Sequence, residues 1–174
     1  MAKKKKTEDQ FEQVEQALSK TEQYIVDNQK SIMTIIGAIV AIVVLFKAYQ
    51  NFYLLPLEKE AQTDIYMAEL YFQKDSFNLA LDGDGQYAGF LDIADDYGST
   101  NIGQLANYYA GICYLHLGEY ENAIEYLEDF SSDDILLSSL ALGCIGDAYL
   151  ELGDSDNAMD AYEDAVSNSN NEFT

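Results

Sequence analysis

The side chains that could do chemistry are few. There is one histidine, His116, and there are two cysteines, Cys113 and Cys144. A base or a metal ligand works in company, and no cluster of His, Cys or Ser lies within reach of His116 by sequence. It reads as a partly buried polar residue. Cys113 and Cys144 fall on neighbouring helices among the small residues Gly111, Gly143 and Gly146. A disulfide is chemically permitted outside the cytoplasm, but packed free thiols are the expected state. The run Asp82-Gly-Asp84-Gly has the alternation of a calcium loop, yet its glycine is misplaced and the closing glutamate is missing, so a plain polar turn is expected. Asp95-Asp96 and Asp133-Asp134 are adjacent pairs and read as solvated helix ends rather than an acid and its base. No enzyme activity, no metal and no cofactor is expected.

The elements that carry these residues repeat. "YYAGICYLHLGEYENAIEYL" begins at Tyr108, and its skeleton returns 35 positions on in "GCIGDAYLELGDSDNAMDAY". Gly111 becomes Gly146, Tyr114 becomes Tyr149, Gly118 becomes Gly153 and Ala123 becomes Ala158. This period is close to the 34 residues of a tetratricopeptide repeat. Each choice has a physical reason. The first glycine lets two helices press together, and Tyr114, Leu117, Tyr149 and Leu152 fill that contact. Gly118 and Gly153 end a helix in the left-handed conformation that glycine adopts cheaply. Ala123 and Ala158 admit close approach at the start of the second helix, whose buried stripe continues through Leu127 and Tyr162, then Phe130 and Ala165.

Stacked repeats need about three units or a cap. Upstream, Leu57, Ala61, Ile65, Ala68 and Phe72 trace one helix face, and Tyr87, Phe90, Leu91, Ala94 and Tyr97 trace another, with "NLALDGDG" as the turn between them. The fold class is therefore all-α: three helical hairpins, six helices, over residues 57–98, 102–130 and 136–168 of a domain spanning 57–174. "SNSNNEFT" at the end reads as a loop leading onward with no polar capping helix after it.

Charge divides the chain. Its 174 residues carry 31 acids against 9 lysines, a formal net charge of -22. Residues 1–30 hold six of the lysines and six acids and sum to zero, so the deficit lies beyond Phe46, where Lys47, Lys59 and Lys74 face 25 acids. A domain this acidic repels nucleic acid and anionic headgroups, which are discounted as its partners. The divider is "SIMTIIGAIVAIVVLF", Ser31 to Phe46, which with the following residues to 55 reaches the roughly 20 needed to cross a bilayer. A single-pass signal anchor in the inner membrane is expected. Lys30 and Lys47 would bound it, with Tyr49, Phe52 and Tyr53 as an aromatic belt. The lysine bias predicts a cytoplasmic N-terminus and a periplasmic C-terminal domain. Residues 1–30 read as a basic tail and a short amphipathic helix built on Phe11, Val14 and Leu18, with "SKTE" from Ser19 as a capping box.

In a tetratricopeptide array the first helix of each pair lines the concave groove. Counted from the glycines, that groove would carry Leu105, Tyr108, Ile112, Leu115 and His116, then Leu140, Gly143, Asp147, Leu150 and Glu151. The face is apolar and acidic. It lacks the basic clamp that holds a peptide's C-terminal carboxylate, and suits an unfolded segment or a partner's helix.

The anchor-then-repeat order carries a resemblance. "AGFLDIADDYGSTNIGQLANYYAGICYLHLGEYENAIEYL", with "SKTEQYIVDNQK" before the anchor, resembles the YfgM-like proteins in their Bacteroidetes-type variant, over residues 19–174. These are inner-membrane tetratricopeptide proteins associated with the SecYEG translocon. The resemblance implies a scaffold beside the translocon, with a PpiD-like periplasmic chaperone as partner and nascent secreted chains as clients. It implies no catalytic residues. Relatives run on for further helices where this sequence stops at Thr174. An adaptor of another envelope assembly machinery is the alternative reading.

Overall fold

The computed structural model describes residues 24–170; the basic tail, the Phe11–Leu18 stripe and the Ser19 capping box lie outside the described residues. The chain divides into two units, Met1–Gln50 and Asn51–Thr174. The described residues form helices joined by short turns and loops, and none forms a strand.

In the first unit, α1 runs from Gln29 to Tyr49 and buries none of its residues. Its β-branched side chains are apolar on every side, the pattern of a helix that meets no aqueous face. The hydroxyl of Thr34 donates to the Lys30 carbonyl at 2.8 Å, so the polar group inside the apolar run is satisfied within its own helix. Lys47 donates to Oε1 of Gln50 at 3.1 Å. Gln50–Leu54 is a π-helical stretch.

The second unit continues with α2 (Leu55–Phe72), α3 (Phe77–Asp82), α4 (Phe90–Tyr97), α5 (Asn101–Leu117), α6 (Tyr120–Asp129), α7 (Ile135–Glu151) and α8 (Ser155–Asn170). Pro56 stands in the first turn of α2, directly after the π-helical stretch, which is where the helix accommodates its missing N–H. Ala61, Ile65 and Ala68 recur at helical spacing and are buried, with Leu57 and Phe72 half-buried beside them. One core cluster gathers α2, α3, α4 and α5 around Phe90, Ile93 and Cys113. Its aromatic centre is ordered: Phe72 meets Phe77 and Phe90 edge-on, and Phe90 stacks on Tyr109 at 5.1 Å. A second cluster joins α6, α7 and α8 through Ile124, Leu127, Ala141, Ile145, Ala148 and Ala161.

Two local expectations are corrected. The segment "NLALDGDG" is not all turn, because Phe77–Asp82 forms a helix with Ala80 and Leu81 buried. Burying two apolar residues outweighs the turn chemistry that follows, and the chain reverses only at Gly83, with φ +74°. Seven helices, not six, therefore follow residue 54 among those described. Tyr87 is not on a buried face either. It precedes α4, is exposed, and its N–H donates to Oδ1 of Asp84 at 2.8 Å. Ile93, fully buried, takes the core position instead.

Candidate partner-binding face

The two repeat hairpins are closed by glycine. A Cβ on Gly111 of α5 would lie 2.5 Å from Cγ of Leu127 on α6 and 3.1 Å from the Ala123 carbonyl oxygen. A Cβ on Gly146 of α7 would lie 2.6 Å from Cε1 of Tyr162 on α8. Ala123 and Ala158 are buried at the matching starts of α6 and α8. Gly118 and Gly153 have φ of +77° and +80° where α5 and α7 end. Tyr114 sits against Tyr126 with ring centroids 5.4 Å apart, and Tyr149 is half-buried against the second cluster. Gly103 is a contact that sequence reasoning passed over: a Cβ there would strike the Tyr97 carbonyl, so α5 needs glycine to approach the end of α4.

The residues assigned to a groove separate into two groups. Tyr108, Ile112 and Leu115 are half-buried and pack against the second cluster, so they seat α7 on the preceding repeat rather than line an open surface. Tyr108 reaches the ring of Phe130 at 5.4 Å. Leu105 is half-buried. His116 is exposed, not partly buried, and its ring stacks flat on Phe77 at 4.4 Å. Phe77 opens the short helix α3, just before the segment whose composition reads as turn, so spacing alone does not pair its ring with His116.

The second group stays open. Leu140 and Leu150 are 50% and 51% exposed, and Asp147 and Glu151 are exposed beside them. Met159 and Val166 on α8 are exposed too, and with Tyr162, Glu163 and Ser167 they border a shallow, largely apolar depression. Neither Met159 nor Val166 was singled out from sequence. Shifting Ile124 by the repeat period would have found Met159. A further cavity of about 470 Å³ lies between α6, α7 and α8, with Leu127, Ala141, Ile145 and Ala161 among its walls and Glu128, Asp160 and Asp164 among its carboxylates.

Little reactive chemistry is assembled here. Cys113 and Cys144 are both free thiols. Burial pushes Cys113 up to about 12, and burial followed by the nearby Asp147 charge also raises Cys144, so neither is poised as a thiolate. Asp84 is spoken for: it accepts from the Tyr71 hydroxyl and from the N–H groups of Gln86 and Tyr87. Those bonds, the tyrosine's first, hold it below the usual carboxylate range. Asp134 caps α7 by accepting from the N–H groups of Leu136 and Leu137. No group of three or more His, Cys, Asp or Glu is placed to hold a metal among the described residues. Of the residues assigned to a membrane boundary, Lys30 and Lys47 are exposed, as are Tyr49, Phe52 and Tyr53. The helical stretch that contains them is long and apolar enough to cross a membrane.

Residues 105–133 and residues 141–172 each match a tetratricopeptide repeat family, and the two matches fall on the α5–α6 and α7–α8 hairpins. No curated protein and no solved structure matches the chain. Tetratricopeptide hairpins are devices for protein–protein contact.

Proposed function

We propose that this repeat protein is a non-enzymatic scaffold, anchored in the inner membrane by α1, that stands at the SecYEG translocon. There it assists export of secreted or membrane proteins through contacts with a PpiD-like periplasmic chaperone and with emerging chains. The observation that carries the reading is the union of two features in one short chain: an apolar helix with nothing buried on it, then repeats whose last hairpin exposes Leu140, Leu150, Met159 and Val166. The lysine excess before the span supports an N-terminus in the cytoplasm and repeats in the periplasm. The resemblance over residues 19–174 supports the choice of machinery.

Photoreactive residues at Tyr49, Leu140, Leu150 and Met159, irradiated in intact membranes, test it. Translocon subunits captured from Tyr49, with chaperone or nascent chains from the other three, are the expected result. Capture of another envelope assembly alone would transfer the scaffold to that machinery. A reporter fused after residue 174 that is active only in the cytoplasm would reverse the topology.

A further inference from the structure

The internal repeat states what the open face of the last hairpin is shaped to receive. Moving 35 residues along, from Gly111 to Gly146, carries each position of the first repeat onto its counterpart in the second. In the first repeat, Ile124 and Leu127 are 8% and 2% exposed because α7 lies over them, with Ala141, Ile145 and Ala148 turned into the same cluster. Their counterparts, Met159 and Tyr162, have no helix of the described residues in that place, and Met159 is 57% exposed. Leu115 is half-buried in that cluster, while its counterpart Leu150 is 51% exposed. One surface of the fold thus occurs twice, once filled by a helix and once left uncovered by the described residues.

We infer that this face docks an amphipathic helix of a partner protein, with a stripe of small and aliphatic residues flanked by lysine or arginine, which continues the stack as α7 does one repeat earlier. The stripe follows from the template, since α7 presents Ala141, Ile145 and Ala148 at helical spacing. The basic flanks follow from charge. Asp147, Glu151 and Glu163 border the face, and the chain holds no lysine or arginine after Lys74. The same fact argues against a second copy of this chain as occupant, because two such faces would bring carboxylates together with no cation between them. The inference takes from the functional reading only that the face binds protein. It does not depend on the translocon.

The probe is a synthetic helix of about 20 residues, roughly 30 Å long, with Ala and Leu at the template spacing and lysines on either side. Its binding to the full chain in detergent is measured by fluorescence anisotropy. We expect binding that weakens about tenfold or more in Met159→Glu and in Val166→Glu, because each puts a carboxylate where the stripe seats. Leu79→Glu, on the distant α3, changes nothing. A peptide of the same composition with its stripe scrambled binds at least tenfold more weakly. Equal binding by the scrambled peptide would reduce the contact to bulk charge and overturn the inference. So would binding indifferent to both α8 variants, no binding at all, or a dimer of the chain that those variants dissolve. Because the probe involves no translocon, failure in the membrane crosslink and failure here are separable results.

Discussion

The ring of Tyr162 covers Gly146 so closely that a Cβ there would lie 2.6 Å from its Cε1, and the hydroxyl of the same ring donates at 2.6 Å to Asp147, one residue on. One side chain thus both closes the last hairpin and settles a carboxylate on the open face. Gly111 makes the equivalent contact one repeat earlier, but against the buried Leu127.

That difference predicts unequal glycine tolerances. Gly111→Ala forces Leu127 and the Ala123 carbonyl to move and destabilises by about 1–3 kcal/mol, partly offset by alanine's better helix propensity. Gly146→Ala displaces the Tyr162 ring and with it the bond to Asp147, and destabilises by less than Gly111→Ala because that ring can give toward solvent. Gly143→Ala meets nothing within 4 Å and stabilises by about 0.5–1 kcal/mol. Urea unfolding of the three variants checks the order.

Alkali tests the Tyr162–Asp147 bond. Accepting that hydrogen bond, the carboxylate pushes the phenol up to about 12, with burial adding to it. A raised folded pKa means the contribution is whole below the ordinary value of about 10 and is lost as pH climbs toward 12. Tyr162→Phe therefore lowers the thermal midpoint at neutral pH, and the gap from wild type closes across that alkaline window. A gap that persists unchanged would assign the loss to packing alone.

Acid tests the α3–α4 turn in the opposite sense. Asp84 has its folded pKa depressed, chiefly by the Tyr71 hydroxyl and then by two backbone N–H groups, so its contribution is present above the ordinary carboxylate range and fades as pH falls through the folded value. Asp84→Asn is less stable than wild type at pH 7, and the two converge as pH falls below the ordinary carboxylate range. Since three donors already occupy this carboxylate, millimolar calcium leaves the melting temperature of the wild type unchanged.

Thiol chemistry separates the two cysteines. Cys113 is fully buried and raised to about 12, so alkylating reagents reach it only on unfolding. Cys144 is half-buried and reacts sooner, though more slowly than an exposed thiol. Mass spectrometry after timed iodoacetamide treatment should show one adduct well before two. Immediate double labelling would contradict the packing described.

Much of the fold was written in local signals. The repeat glycines lie at the helix contacts and helix ends where their spacing suggested, and α2 buries the stripe read from Ala61 to Ala68. What escaped was decided by tertiary packing. The helical part of the "NLALDGDG" segment, Asn78 to Asp82, reads as turn because a short helix leaves no period to read, and Ala80 and Leu81 reveal themselves only once a core forms around them. The residues assigned to the groove divide for a related reason. Period and spacing say that Tyr108, Ile112 and Leu115 share a helix face, but not whether the next hairpin has already covered it.

The absence of lysine and arginine after Lys74 has a consequence for how the domain meets its medium. A surface laced with ion pairs loosens when salt screens its attractions. Here carboxylates chiefly repel one another, and the Debye length shrinks from about 30 Å at 0.01 M ionic strength to about 10 Å at 0.1 M. The folded repeats are in effect a compact polyanion, and their counterion atmosphere is part of what holds them together.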